Sequence, residues 1–535
     1  MLNSFDRSTQ SFTRRFRDDE SGVSAVVFGI GFTALALVAG IAIDYGRLVT
    51  DKIRDQRAVD AAVLAASDRL GLEDQDVSGK ARAEAFYAAN RLKNPKSTIE
   101  DVKLDSNTGE VSAKTKTGWQ ATLLKGLDEF FPGIGSDREV SVSATVARGS
   151  GTVELALVLD NSGSMSGTSI ANLRTAATDL TKTVFAGVEG TDRVMVGVVP
   201  FAASVNVGPQ NKTANWIDGG GVGPTHYENF AEQRNRFELF NAVGESWAGC
   251  VEARPNGLDV KDRKPVASVG KTMFVPMFAP DEPGEAGRAR SGYNNSYLDD
   301  DGGQCPRYEK VCLRYSRRGN CTNEQTVRLP DSEAQARTCK YYGQRRSGGA
   351  GPNSMCTTQP LLPLNSTRSD VEYAISRMQA SGNTNIKEGL AWGWRVLSRR
   401  APFREGRGKN ASNNRKIMIL MTDGQNWYNT QSSANKSVYA SHGYASKGRL
   451  GATYTRSGYT NDLNTKSRAV CDNAKADGVT IYTIAFRLEN DPTTQALLKY
   501  CASGDDNFFV ASNGAALIQS FRNIGREISE VRIAG

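Results

Sequence analysis

The chain contains very little histidine, and this scarcity excludes several kinds of catalytic and metal centre. His226 and His442 are the only two histidines among 535 residues. They are too few for histidine-rich zinc sites, and a Ser-His-Asp hydrolase is disfavoured because its base must be one of them. The phosphate-binding sequence G-x-x-x-x-G-K-[ST] is also absent, which excludes an ordinary P-loop nucleotide hydrolase.

A strong excess of one charge is lacking as well. The 66 Lys and Arg residues face 58 Asp and Glu residues, which leaves a net charge of +8. A dedicated nucleic-acid-binding protein usually has a more lopsided charge.

Hydrophobic residues make up 39% of the chain and Gly adds 53 residues, close to the apolar share of soluble domains, so a mainly disordered chain is excluded. The length predicts roughly two to four domains.

Long hydrophobic runs are missing except for one near the N-terminus. Gly22 to Ile43 is a stretch of 22 residues without a charge. As a helix it extends about 33 Å, enough to cross the hydrocarbon core of a bilayer. The alternatives are a cleaved signal peptide, whose apolar region is usually shorter, and a buried core helix. We expect one retained transmembrane helix at 22–43, preceded by a cytoplasmic tail at 1–21.

The eight cysteines all follow this hydrophobic run, and none forms a C-x-x-C pair. An even number of cysteines fits disulfides and therefore an oxidising compartment, the alternative being scattered reduced thiols. Basic residues are balanced on the two sides of the run, so the cysteines decide the orientation, with residues 44–535 outside the cytoplasm. We also expect a Cys471–Cys501 disulfide, because the predicted strand 479–486 lets helices 466–477 and 493–501 flank the same face of a sheet.

Residues 44–150 have the pattern of a small α/β module. An Ala-rich helix continues from the hydrophobic run to about residue 70, and a second helix is predicted over 80–92. Polar and apolar residues then alternate over 98–116 around an Asn-Thr-Gly turn, and again over 139–148. This alternation is typical of a hairpin and a further strand. We therefore expect a helical and α/β stalk over 44–150.

Three features mark the first part of the chain: Gly22 at the start of the run, the Asp44-Tyr45-Gly46 exit and the helix AVDAAVLAAS. In these features it resembles the N-terminal region of TadE/TadG-like proteins of Tad (tight adherence, Flp-type) pilus assembly. The resemblance implies a bacterial cytoplasmic-membrane protein of the pilus machinery. Pilin-like relatives often carry Glu five residues after the Gly, where this chain has Val27. A permanent anchor is therefore expected rather than a filament subunit.

Strands and helices alternate from residue 151 onwards, which predicts an α/β domain with a doubly wound parallel sheet. An apolar strand over 153–159 opens into D-x-S-x-S, formed by Asp160, Ser162 and Ser164. Thr384 lies in a Gly-Asn-Thr-Asn loop before a helix, and Asp423 ends another apolar strand. Ligands bind beyond the carboxyl ends of such strands, so these loops are expected to meet there.

These three loops resemble the metal-ion-dependent adhesion site of von Willebrand factor type A domains. The resemblance implies Mg²⁺, with Mn²⁺ or Ca²⁺ as alternatives, bound by the hydroxyls of Ser162, Ser164 and Thr384. Asp160 and Asp423 would act mostly through bound waters, and one coordination position would remain for a partner's Asp or Glu. The structural alternatives are that Asp160 caps the helix at 169–185 or forms a turn, and that Asp423 forms an ordinary Asp-Gly turn.

Catalytic alternatives fit these residues less well. A phosphatase-type nucleophile at Asp160 would want a second Asp where Ser162 stands. Serine hydrolysis at Ser162 or Ser164 lacks a histidine base in the other loops. We therefore expect a binding protein and not an enzyme.

A long insertion at 206–361 interrupts the domain and contains six of the cysteines. Its segment 305–346 holds ten Lys or Arg against four Asp or Glu, which suggests either a patch for anionic surfaces or a solvated, disulfide-braced region.

The function predicted from the sequence is that of a TadG-like, membrane-anchored pilus assembly protein whose bulk is periplasmic or extracellular. Its partners would be components of the pilus machinery or a surface ligand that offers a carboxylate. The alternative is a cell-surface adhesin or envelope sensor with a von Willebrand factor A domain that is not tied to a pilus.

Overall fold

The fold is described from a computed structural model, which covers residues 21–67, 75–91, 97–105, 110–123, 125, 138–147, 151–285, 287–304, 307–411 and 413–534. The predicted cytoplasmic tail lies outside the described residues apart from Ser21. The chain forms two compact units, Met1–Gly149 and Ser150–Gly535, and each is described by itself.

The first unit combines two helices with a small antiparallel sheet. Its elements are α1 (Ser21–Ser67), α2 (Gln75–Asn90), β1 (Ser97–Asp105), β2 (Glu110–Trp119) and β3 (Arg138–Ala147). The strands pair in the order β1-β2-β3. The predicted hairpin and third strand are therefore present, although the Asn-Thr-Gly turn lies outside the described residues. Helix α2 begins five residues before the predicted start.

Helix α1 runs without interruption for 47 residues, because no proline breaks it. The hydroxyls of Thr33 and Thr50 are satisfied within the helix by the carbonyls of Gly29 and Gly46. Its segment Val26–Ser67 is long and apolar enough, by length and composition, to cross a membrane. Large apolar side chains near its start are exposed, and Phe28 has 79% of its surface accessible. An apolar helix that exposes such residues is suited to a lipid environment.

The later part of α1 forms the core of the first unit. Ala58, Val59, Ala62 and Val63 are buried in one cluster with side chains of α2 and of the sheet. Asp44, at the exit of the hydrophobic run, is buried and accepts hydrogen bonds from the backbone N–H groups of residues 122 and 123, at 3.2 and 2.9 Å. Asp44 therefore ties α1 to the segment that follows β2.

The second unit alternates strands and helices along most of its length. In chain order its elements are β4 (Thr152–Asp160), α3 (Thr168–Phe185), β5 (Val194–Phe201), α4 (Arg236–Ala242), β6 (Gly284–Glu285), β7 (Arg288–Ala289), β8 (Tyr308–Tyr315), β9 (Cys321–Arg328), α5 (Asp331–Ala336), β10 (Leu362–Asn365), α6 (Arg368–Ser376), α7 (Ile386–Leu397), β11 (Asn414–Thr422), α8 (Arg456–Ala476), β12 (Val479–Phe486), α9 (Pro492–Cys501), β13 (Phe508–Ala511) and α10 (Gly514–Ala534).

The main sheet has the strand order β10-β5-β4-β11-β12-β13. Five strands are parallel, as the sequence predicted, whereas β10 runs antiparallel at one edge. Alternate residues of β4 point to opposite faces: Leu155, Leu157 and Leu159 share a core with α3, α6 and α10, while Ala156 and Val158 share one with α7, α8 and α9. Burial on both faces explains why the strands are continuous apolar runs.

The insertion packs into the core much more than its composition suggested. Aromatic rings from the insertion reach α7: Trp216 contacts Phe274 at a ring distance of 5.9 Å, and Phe274 contacts Trp392 of α7 at 4.9 Å. The hairpin formed by β8 and β9, which lies in the basic segment, keeps most of its side chains exposed.

Disulfides join distant parts of the second unit, and the described residues include no free cysteine. Cys471 pairs with Cys501 at a Cα distance of 5.2 Å, which confirms the predicted link. Cys250 pairs with Cys356, and Cys312 pairs with Cys321 across the exposed hairpin. Cys339 is also disulfide-bonded.

A buried ionic cluster fastens the insertion to α7 and α8. The carboxylate of Asp259 lies 3.6 Å from the Lys387 ammonium, 2.8 Å from that of Lys466 and 3.5 Å from Nε2 of His442. Burial alone would raise the pKa of Asp259, but Lys387, His442 and Lys466 together outweigh it, and the pKa falls well below its usual range. Burial, and then the charge of Lys387, lower the pKa of His442 to about 4. His442 is therefore neutral in the folded protein at neutral pH.

This neutral histidine predicts a specific acid sensitivity. Between the unfolded pKa of 6.5 and the folded pKa of about 4, the unfolded chain binds one more proton, so stability falls as the pH falls through that window. The variant His442→Gln has no titrating group at this position. The amount by which its free energy of unfolding falls below that of the wild type should therefore be about 2–3 kcal/mol smaller at pH ~4.5 than at neutral pH. Denaturant unfolding of both proteins at the two pH values measures this difference. A disadvantage that is independent of pH would contradict the assignment.

Candidate functional site

Three loops converge at the carboxyl ends of β4 and β11. The two strands are adjacent and parallel, so Asp160 and Asp423 reach the same edge of the sheet. Backbone hydrogen bonds fix the third loop, which precedes α7, against the other two. The N–H of Gly163 donates to the carbonyl of Gly382 at 2.9 Å, and the N–H of Trp427 donates to the carbonyl of Thr384 at 2.8 Å.

The structure brings all five sequence-predicted site residues together. Ser162, Ser164, Thr384 and Asp423 line an open cavity of about 360 Å³, and Asp160 is fully buried beside it. The hydroxyl oxygens of Ser162 and Ser164 are 3.0 Å apart, and Ser164 donates to Oδ1 of Asp423 at 2.6 Å. The hydroxyl oxygens of Thr384 and Ser164 lie 3.5 and 3.9 Å from the position that a Cβ at Gly424 would take, so they border the same space.

The buried carboxylate of Asp160 is held by two hydrogen bonds. Its Oδ1 accepts the backbone N–H of Ser162 at 2.7 Å, and its Oδ2 accepts the hydroxyl of Thr422 at 2.5 Å. Thr422 is a site residue that the sequence reasoning missed. The sequence places Thr422 directly before Asp423, which could have drawn attention to it. Its hydrogen bond to Asp160, however, depends on the pairing of β11 with β4.

In the described part of the chain, the carboxylates of Asp160 and Asp423 therefore lie close together without a cationic side chain paired to either. Burial and then the charge of Asp423 raise the pKa of Asp160 to about 7. Burial also raises the pKa of Asp423, although the Ser164 hydroxyl and Arg487 oppose the shift. Among the described residues, neither carboxylate takes part in an ion pair. A cation at this position would stabilise both charged forms.

The surrounding polar residues position the loops. Asn426, also missed in the sequence, accepts the N–H of Ile386 at 2.8 Å through its side-chain oxygen. Asn385 caps α7 by accepting the N–H of Glu388 at 3.1 Å. Asp491 lines the cavity and caps α9. These caps give the loops a fixed shape before any ligand arrives.

The donor atoms fit a small divalent cation that prefers oxygen. Ligands roughly 2.1 Å from an octahedral ion lie about 3.0 Å from one another, which matches the spacing of the two serine hydroxyls. Within the described parts of the chain, His, Cys, Asp and Glu side chains form no group of three or more that could hold a metal. Neutral hydroxyls would therefore have to supply part of the coordination, as Mg²⁺ and Mn²⁺ accept.

The helix-capping alternative for Asp160 is wrong, whereas the turn alternative is confirmed, because Oδ1 of Asp160 accepts the N–H of Ser162 two residues further on. Helix α3 begins at Thr168, and its N-cap is Gly167, which makes no side-chain cap. Asp160 therefore does not cap this helix. The residues that line the cavity include no histidine, so no histidine base stands beside Ser162 or Ser164.

The family comparison places the N-terminal helix among pilus-assembly sequences. Residues 22–69 match the family described as "Putative Flp pilus-assembly TadE/G-like". The matched residues lie in the first unit, so the match does not extend to the second unit. No match is found among the curated proteins.

Several solved structures resemble the chain at low sequence identity. The pilus adhesin SpaC from Lactobacillus rhamnosus GG is 14% identical with a TM-score of 0.32, and the match covers 82% of this chain but only 35% of that one. The von Willebrand factor domain of the type V pili tip protein Mfa5 from Porphyromonas gingivalis is 11% identical with a TM-score of 0.33, over 71% of this chain and 95% of that one. The PilB minor pilin from Streptococcus sanguinis is 12% identical with a TM-score of 0.31, over 81% and 77%.

Proposed function

We propose that the chain is a TadG-like, membrane-anchored protein of Tad pilus assembly that binds partners through a divalent metal. The ion, Mg²⁺ or Mn²⁺, would be held by Ser162, Ser164 and Thr384 directly and by Asp160 and Asp423 mainly through water. The observation that carries the proposal is the convergence of three hydroxyls and two uncompensated carboxylates on one sheet edge. The match of residues 22–69 to a pilus-assembly family supplies the biological setting.

The proposed domain layout follows from the same reasoning. Residues 1–21 form a cytoplasmic tail, 22–43 cross the membrane, 44–150 form the stalk, and 151–535 form a von Willebrand factor A-like domain with its insertion at 206–361. The sheet with helices on both faces supports this domain type.

The proposed role of the site is binding and not turnover. When bound, the metal supplies a positive charge that attracts a partner's carboxylate. The chain's own residues hold this centre in place: the Ser162 N–H and the Thr422 hydroxyl fix Asp160, and Ser164 orients Asp423. Because the directly contacting groups are neutral hydroxyls, much of the ion's charge remains available to the partner.

A crosslinking experiment in envelopes tests the partner. A photoreactive amino acid is placed at Gln425, which lines the cavity, and a control is placed at Arg318 in the turn between β8 and β9. We expect an adduct with a pilus-assembly component from Gln425 in Mg²⁺ that disappears with a chelator and in the Asp160→Asn background. An adduct that is unchanged by both treatments would contradict metal-dependent binding, and an Mg²⁺-dependent adduct with a protein outside the pilus machinery would contradict the pilus setting.

The orientation of the chain is a separate prediction. A reporter that is active only in the periplasm should be active when fused after Gly535, because the disulfides require an oxidising compartment. The same reporter fused before Met1 should be inactive. The opposite pattern would reverse the topology and place the metal site in the cytoplasm.

A further inference from the structure

A cavity of about 670 Å³ lies at the opposite end of the second unit's sheet from the candidate metal site. It is lined by Leu397 at the end of α7, Lys416 near the start of β11 and Val479 at the start of β12. Asp160 and Asp423 lie at the other ends of the parallel strands. The two sites are therefore distinct and share no lining residue.

The lining of this basic cavity is strongly cationic. Seven of its fourteen lining residues are Lys or Arg, and Asp477 is the only acidic one. Two further carboxylates, those of the buried Glu154 and Asp262, are not lining residues but form ion pairs with Arg400, Arg407 and Lys416. Cations then still outnumber anions seven to three. A cleft lined by one sign of charge attracts anions and raises their local concentration.

Four of the cations, Lys416, Arg407, Arg400 and Lys409, form ion pairs or hydrogen bonds that hold the cavity wall together. Lys416 pairs with the buried Glu154 and donates to the carbonyl of Leu397 at 2.5 Å. Arg407 shares Glu154 and also donates to the carbonyl of Asp192 at 2.6 Å.

Arg400 and Lys409 complete this wall. Arg400 pairs with Asp262 at 3.1 Å. Lys409 donates to the carbonyl of Ala476 at 2.5 Å. Gly406 lies so close to the end of α7 that an added Cβ would be 2.4 Å from the carbonyl oxygen of Leu397. The loop after α7 is therefore held in one shape by its own contacts.

The other three cations, Lys264, Arg399 and Arg404, also line the cavity, but their side chains do not hold its wall together. Their side chains make no hydrogen bond or ion pair within the described part of the chain. The guanidinium of Arg399 lies 3.9 Å from the position of a Cβ at Gly408, so it is directed along the cavity wall. Trp394, whose indole N–H donates to Asp477 at 3.2 Å, gives the cavity a fixed apolar surface.

We propose that this basic cavity binds a phosphate-bearing anion, with Arg399 and Arg404 as guanidinium donors and Lys264 as a third charge. Planar guanidinium groups match the oxygens of phosphate in a bidentate manner, and several charges together favour a multivalent anion over a single carboxylate. The apolar surface of Trp394 and Leu397 can hold the carbon part of such a ligand. The phosphate belongs either to a soluble molecule or to the headgroup of an anionic lipid, and the chemistry of recognition is the same.

Arginine-specific labelling of the wild-type full chain tests the site directly. Phenylglyoxal modification is quantified by mass spectrometry at Arg399 and Arg404 and, as internal controls, at the exposed Arg317 and Arg318. In the first arm the protein is in neutral detergent with a chelator, with and without pyrophosphate. In the second arm it is in bilayer discs of phosphatidylcholine, with and without phosphatidylglycerol.

Protection of Arg399 and Arg404 by about fivefold or more in either arm, with the control arginines unchanged, is the expected result. Protection by pyrophosphate alone assigns a soluble ligand, and protection by phosphatidylglycerol assigns a lipid headgroup. Absence of protection in both arms would overturn the proposal. Equal protection of Arg317 and Arg318 would also overturn it, because it would show only diffuse attraction of anions.

A pair of charge-matched variants gives a second readout. Arg399→Gln with Arg404→Gln should weaken pyrophosphate binding about tenfold or more in calorimetry, whereas Arg317→Gln with Arg318→Gln, which removes the same charge, should change it less than about twofold. Substitution of the cavity pair by Lys keeps the charge and serves as the folding control. Equal weakening by the two Gln pairs would overturn the site.

Discussion

Replacing Asp160 with asparagine is expected to abolish divalent-metal binding and at the same time to stabilise the metal-free protein. The side chain is fully buried, and burial together with Asp423 raises its pKa to about 7. Its charged form therefore destabilises the folded state above the unfolded pKa of 3.8, and fully so above about 7. Asparagine removes the charge, and its oxygen can still accept the Ser162 N–H.

The expected sizes are a loss of Mg²⁺ affinity of at least about a hundredfold and a gain of about 1–3 kcal/mol in the free energy of unfolding near pH ~8 without metal. The gain should vanish near pH ~4, where the wild-type carboxyl is protonated. Calorimetric titration with Mg²⁺ and Mn²⁺, and denaturant unfolding in a chelator, measure the two effects on the full chain.

Asp491→Asn is the matched control, because Asp491 lines the same cavity but caps α9 through the N–H of Thr494 at 2.9 Å. It should leave the metal affinity within a few-fold of the wild type and give no gain in stability. Equal metal affinity in the wild type and in Asp160→Asn would reject the metal site. Loss of stability in Asp160→Asn at the higher pH would show that the carboxylate is compensated by a group other than the metal.

Removing the Cys250–Cys356 disulfide should produce the largest loss of stability of any cysteine pair described. The bond closes a loop with a sequence separation of 106, and Cys250 is buried. Replacement of both residues by alanine releases the insertion in the unfolded chain, which should lower the free energy of unfolding by about 4–5 kcal/mol. Denaturant unfolding of the second unit's transition measures this change.

The pair Cys312 and Cys321 provides the comparison, because it closes a separation of only 9 in the exposed hairpin. Its replacement should lower the stability by about 2–3 kcal/mol at most. If the two double variants lost equal stability, the insertion would not be held by the long-range bond. The packing of Trp216 and Phe274 would then be sufficient to hold it.

The parallel strands could be predicted from the sequence because they are buried on both faces. Strand β12 begins and ends where the apolar run 479–486 does. The Cys471–Cys501 bond followed from the strand between the two helices, since a parallel sheet returns both helices to one face. Continuous apolar runs and short connections carry this information locally.

Helix and strand ends were less predictable. Helix α8 begins at Arg456, ten residues before the predicted start, although its first part is polar and contains Gly458. Thr455 caps it by accepting the N–H of Gly458 at 3.1 Å, and Tyr459 and Leu463 are buried in a local cluster. Tertiary packing therefore outweighs the weak helix propensity.

Strand β5 and strand β10 show the same limit in the sheet. The apolar run that forms β5 continues past Phe201, but the strand ends there, because the chain turns back and the backbone N–H of Ala202 donates to the carbonyl of Ser204 at 3.2 Å. Strand β10 is only four residues long and contains Pro363, which is tolerated at the sheet edge. Neither the end of β5 nor the short strand β10 is marked by a periodic pattern of apolar residues in the sequence.

The candidate site was largely predictable because its residues follow strands and form a recognisable pattern. Thr422 was missed because its hydroxyl acts on a neighbouring strand, so its partner appears only once β4 and β11 are paired. The packing of the insertion was missed for a similar reason. Its aromatic residues are widely spaced, and only the folded chain brings Phe274 against Trp392.

The most direct measurement of the central claim is the anomalous scattering of Mn²⁺ in crystals of the full chain. A peak is expected in the cavity, about 2.1–2.2 Å from the hydroxyl oxygens of Ser162 and Ser164 and close to Thr384, and it should disappear in Asp160→Asn. The absence of a peak there at a saturating concentration of Mn²⁺ would contradict the account. So would a peak that persists in the variant, because the buried carboxylate would then have no part in holding the ion.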